Sequence, residues 1–93
     1  MSVSPEALKA SDTPPVAASP VVQALWHTAH GEWDAAHVLV QDDKSAEAVW
    51  VHAHLHRVEG DLRNAAYWYN RAGKPVNEAS LDAEWTALVQ ALA

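Results

Sequence analysis

Sliding the chain on itself by 29 positions lays Ala24 on Ala53, His27 on His56, Gly31 on Gly60, Glu32 on Asp61 and Ala36 on Ala65. Val40 likewise falls on Tyr69. The matched positions are turn glycines, small contact residues and apolar-face residues, which two stacked helical hairpins need in common. The chain has 93 residues, room for one small domain that buries only about 60 to 65 % of its unfolded surface.

Helix punctuation agrees with a hairpin reading. Ser19-Pro20 is a cap followed by the proline suited to a first helical position, and Val22, Leu25, Trp26 and Ala29 then recur at helical spacing up to Gly31. The next segment places Trp33, Ala36, His37 and Val40 on one face. These elements make a first hairpin over 20–41, followed by a polar connection in which Ser45 caps the next helix. A second hairpin is expected over 46–72, with Leu62, Ala65, Ala66, Tyr69 and Ala72 at helical spacing, Gly73 as its C-terminal cap and Pro75 as a stop. Ser80 opens a last helix over 80–92 with Leu81, Trp85, Leu88 and Leu92 on one stripe, expected to cap the exposed apolar face of the second hairpin. The expected fold is therefore all-α, two antiparallel helix pairs plus a C-terminal capping helix, five helices in one domain over 20–93. Residues 1–19, rich in Ser, Ala and Pro, read as a flexible arm with little packing, although Ser4 and Pro5 have the makings of one capped turn.

Within the second hairpin, "WVHAHLHRVEG" carries conflicting periodicities. As a strand, Val51, Ala53 and Leu55 would line one face and His52, His54 and His56 the other. As a helix, His52 and His56 share a face and His54 points nearly opposite. The Ala- and Glu-containing residues before it and the absence of a hairpin turn after it favour the helix, so the three histidines do not form one triad.

The second hairpin resembles a tetratricopeptide repeat. The family's Gly-Asp turn followed by Ala, an aromatic four residues later and another Ala is matched by Gly60, Asp61, Ala65, Tyr69 and Ala72. In the preceding helix the family's large residue, Leu-Gly and Tyr fall on Val49, His52, Ala53 and His56, where only the small residue agrees, and the period of 29 is shorter than the usual 34. The first hairpin keeps Ala24, Gly31 and Ala36 of the pattern, so the resemblance spans 20 to 73. It implies that the first helix of each pair lines a concave groove for an extended peptide or partner helix. Those groove places fall on Trp50, His54 and Arg57, with Val21, Leu25 and Thr28.

Six Lys and Arg against twelve Asp and Glu leave a formal charge of −6 and no basic run, which argues against nucleic acid and anionic membranes as partners. Without cysteine there is no disulfide, thiol nucleophile or Cys-containing zinc site. The amino-terminal segment has no signal-peptide core and no membrane-spanning run, and a cytoplasmic protein is expected. No phosphate loop or nucleophile elbow is present; Asp42-Asp43 suits capping and solubility, and no enzymatic activity and no cofactor are expected.

The five tryptophans give large apolar area from few positions. Trp26, Trp33 and Trp85 sit on apolar stripes, whereas Trp50 and Trp68 are the least clearly inward. The leading expectation is a protein or peptide interaction module binding through Trp50, His54, Arg57 and Trp68, with a homodimer as one way to cover exposed Trp. The first alternative is a small metal-binding protein in which His52 and His56, one turn apart, offer zinc or nickel two imidazoles. A further ligand would come from the first hairpin, with His27 the primary choice and His30 or His37 also within reach, or from Glu59 of the second hairpin. If the histidines merely pack, burial resists their protonation and the fold weakens in mild acid. The second alternative is a structural subunit or homo-oligomer with no separate ligand.

Overall fold

The computed structural model describes residues 4–93, and among these the chain is helical, with no strand. The helices are α1 (Pro5–Ala10), α2 (Pro20–Ala29), α3 (Trp33–Val40), α4 (Ala46–Val58), α5 (Leu62–Ala72) and α6 (Leu81–Leu92). Local chemistry sets most of their starts. The hydroxyls of Ser4, Ser19, Ser45 and Ser80 each accept the amide of the residue three further on, and the Asp61 carboxylate does the same for Asn64. Each such cap contributes about 1 kcal/mol.

Helices α2 and α3 pack as one hairpin and α4 and α5 as another. The two turns share one construction. Gly31 and Gly60 take φ of 74° and 85°, a region where a Cβ is strained, and the next amide reaches back over the helix end. Glu32 N–H donates to the His27 carbonyl and Asp61 N–H to the His56 carbonyl, each at 2.9 Å. Helix α5 ends the same way, with Gly73 at φ 72° and Lys74 N–H donating to the Tyr69 carbonyl at 3.0 Å, so the closure belongs to each of these glycine-ended helices.

The alternation in "WVHAHLHRVEG" resolves as helix, but for a reason outside its own period. Helix α4 packs against α2, α3, α5 and α6, and every residue from Val51 to His56 is buried. Enclosed on all sides, this stretch of α4 has no solvent face for a periodicity to report.

Two expectations are corrected. The segment expected to be an unpacked arm contains α1, whose Leu8 is 1 % exposed and packs with α2 and α6. The indole N–H of Trp26 donates to the Ser11 carbonyl at 3.0 Å, and Lys9 lies over the Trp85 ring, 5.0 Å from its centroid, while pairing with Asp82 at 3.3 Å. One apolar residue and two indoles that need cover are enough to hold this segment. The last helix, expected to cap the second hairpin, lies across both hairpins. It packs on α4, α2 and α1 and meets α5 through the Tyr69 hydroxyl, burying Trp85, Leu88 and Val89, while Leu81 stays exposed. Trp85 donates its indole N–H to the Leu25 carbonyl at 2.8 Å, which pins α6 onto α2. No helix among the described residues is long and apolar enough to cross a membrane.

Candidate functional site

The face expected to receive a partner is where α6 lies. The Glu84 side chain, fully buried, accepts from four side chains of α4 and α5: His54 Nδ1 at 2.7 Å, Arg57 Nη1 at 2.7 Å, Tyr69 OH at 2.5 Å and Trp50 Nε1 at 3.3 Å. Arg57 also donates to the Ala79 carbonyl at 2.6 Å, clamping the segment before α6. Burial alone would raise the Glu84 pKa, but the hydrogen bonds from His54, Tyr69 and Arg57 outweigh it and hold the carboxyl down at about 2. The Tyr69 hydroxyl is pushed up, first by burial and then by its bond to that carboxylate. Trp50, His54 and Arg57 are therefore taken out of the expected partner-binding set, because a carboxylate on the chain's own α6 uses their donors. His54 is 1 % exposed.

A second constellation lies on the opposite side of α4. His37 from α3 meets His52 and His56 from α4, with ligand-capable nitrogens of all three within 4.8 Å of one another. His37 Nε2 and His52 Nε2 are 3.0 Å apart. The rings are held by their neighbours. Trp33 stacks on His37 at 4.6 Å and 12°, and Trp68 stacks on His52 at 3.9 Å and 18°. The Trp33 N–H donates to the Leu55 carbonyl at 2.6 Å and the Trp68 N–H to Asn64 Oδ1 at 3.0 Å, so neither indole is free to turn. His56 Nδ1 bonds Glu59 Oε1 at 2.5 Å. Burial lowers the His52 pKa to about 4, assisted by His37 and His56; burial and then His56 lower that of His37 against the opposing pull of Glu59, Asp34 and Asp42.

The chain matches no protein-family model, no curated protein and no solved structure. Its chemistry is therefore argued from its own side chains.

His52 and His56 share a face of α4 as their spacing implies. His27, the first choice for a companion, lies elsewhere: its Nδ1 bonds Glu32 at 2.7 Å and its ring sits edge-on to Trp26 at 5.0 Å. His30 is exposed and stacks on Trp26 at 4.1 Å. The residue brought in is His37, from the second helix of the first hairpin. Its sequence signal was there: with Trp33, Ala36 and Val40 it lies on the inward face of α3.

Trp68 has a second neighbourhood, on the outer edge of α5. The Arg71 guanidinium lies 5.2 Å from the Trp68 ring centroid and 5.8 Å from that of Tyr67, and donates to the Tyr67 hydroxyl at 3.2 Å. Tyr67 is 53 % exposed. Trp68 and Arg71 border a cleft of about 150 Å³ whose far wall is the Gln41–Lys44 connection.

Proposed function

We propose that the chain is a non-enzymatic, tetratricopeptide-like interaction module of the cytoplasm whose partner surface is the outer edge of α5. The observation carrying this reading is the grouping of Tyr67, Trp68 and Arg71 within two turns, pre-assembled by their own contacts and beside a cleft. Trp, Tyr and Arg dominate the energetics of protein interfaces, and a pre-organised set loses little side-chain entropy on docking. Tyr67 has no packing role in the chain's own core, whereas Tyr69, two residues on, is buried. The matched residues at 29 positions support the repeat, and α6, seated across α2 and α4, covers the face of those two helices. That leaves the α5 edge for a protein or peptide segment able to set a carboxylate on Arg71 and an apolar side chain on Trp68.

A photo-crosslinking residue placed at Tyr67 in cells tests this, with one at exposed Gln90 on α6 as the control. A defined adduct at position 67, with a second copy of the chain or with another protein, that is lost on Arg71→Glu supports the reading. Identical adduct patterns at the two positions would refute it.

A further inference from the structure

We propose that His37, His52 and His56 form a coordination site for one divalent first-row transition metal ion, bound through three imidazole nitrogens and an exogenous fourth ligand. The donor set selects the class of ion. Imidazoles without thiolates suit zinc, copper(II) and nickel, and a wholly nitrogen set with no carboxylate is poor for magnesium or calcium. Zinc bound at about 2.0 to 2.1 Å in a tetrahedron places its ligand atoms roughly 3.4 Å apart. The His37 and His52 nitrogens are already at 3.0 Å, and no ligand pair exceeds 4.8 Å. Closing the set requires the most distant ligand atoms to approach by about 1.4 Å at most.

The surroundings are those of a held site. A ligating histidine needs its other nitrogen engaged, and His56 has Nδ1 on Glu59, which leaves Nε2 for the ion. Stacked indoles fix the planes of the other two rings, and those indoles are themselves tied by hydrogen bonds. Ligands must be unprotonated, which neutral imidazoles are. In the metal-free protein one of the facing nitrogens of His37 and His52 donates to the other. Uptake requires that ring to carry its hydrogen on its remaining nitrogen, which a neutral imidazole does. Three protein donors leave the fourth position to water or a small ligand, the arrangement of an open site. His37 is the half-buried member and gives the ion its path in. Glu59 is a positioning residue, acting through His56.

The test is calorimetric titration of zinc sulfate into chelator-treated, untagged protein, with cobalt(II) absorption as a report of geometry. One ion per chain is expected, with the intense visible bands of tetrahedral cobalt. His37→Gln, His52→Gln and His56→Gln should each weaken binding at least about tenfold, and Glu59→Gln by about 10- to 100-fold with the same cobalt band positions. His27→Gln and His30→Gln should leave affinity unchanged. Circular dichroism of His37→Gln, the least buried change, guards against mere unfolding. Absence of saturable one-to-one binding, or full affinity retained in folded His37→Gln, would overturn the proposal. Equal losses in His27→Gln and His37→Gln would do the same.

Discussion

Replacing Glu84 by Gln isolates the charge that holds α6 in place. The folded chain keeps this carboxyl at about 2 against an ordinary 4.5, and each unit corresponds to 1.36 kcal/mol of preference for the ionised form. The ionised carboxylate thus contributes about 3 kcal/mol beyond a neutral group in its place. Gln keeps the size but brings an NH2 to donors that need an acceptor, so the substitution loses about 3 kcal/mol. For a domain of this size that lowers Tm by more than about 10 °C. The pH dependence carries a further signature. Because the folded pKa is depressed, the contribution is complete above the unfolded pKa of 4.5 and disappears as pH falls through about 2. Urea unfolding followed by Trp fluorescence should therefore show wild type and Glu84→Gln separated by about 3 kcal/mol at pH 7 and by roughly half that near pH 3. A separation under about 0.5 kcal/mol at pH 7, or one that does not narrow in acid, would refute the assignment of Trp50, His54, Arg57 and Tyr69 to a charged Glu84.

The histidine cluster should make the metal-free protein sensitive to milder acid: with His52 lowered to about 4 against 6.5, the unfolded chain binds more protons between those values, so stability falls as pH drops through that window. A urea midpoint that is flat from pH 6.5 to 4 would contradict the burial of His52. Leu8→Ala should cost about 2 to 4 kcal/mol by thermal denaturation, since Leu8 is 1 % exposed between α2 and α6, whereas an unpacked arm would lose nothing. Gly60→Ala should cost about 1 kcal/mol or more in the same assay, entirely from φ of 85°, because a Cβ there meets no atom within 4 Å. A neutral result would mean that the turn relaxes.

What was legible in the sequence was whatever chemistry is local. Ser19, Ser45 and Ser80 announce helix starts because a cap acts within three residues, and Gly31, Gly60 and Gly73 announce ends because a positive φ excludes most other residues. The positions of α1 and α6 were not legible. The stripe of Trp85 and Leu88 suits any apolar face, and nothing local to Glu84 says that donors from three turns of α4 and one of α5 will converge on it. The site shows the same division. The i, i+4 relation of His52 and His56 follows from helical geometry, but their companion depends on which helix of the first hairpin faces α4. The sequence put His27 first among the histidines of the first hairpin, and α3 instead delivers His37. The α5 edge carried a partial signal in Trp68, without the neighbouring Tyr67 and Arg71 that give it a surface.

The most direct measurement is long-range nitrogen NMR of all six histidines in untagged protein, recorded without metal and with one equivalent of zinc. The ring nitrogens of His37, His52 and His56 should shift together and saturate at one ion per chain, while His27, His30 and His54 stay where they were. Shifts confined to His27 and His30, or a His54 that moves with the cluster, would contradict both the three-imidazole centre and the separate burial of His54 beneath α6.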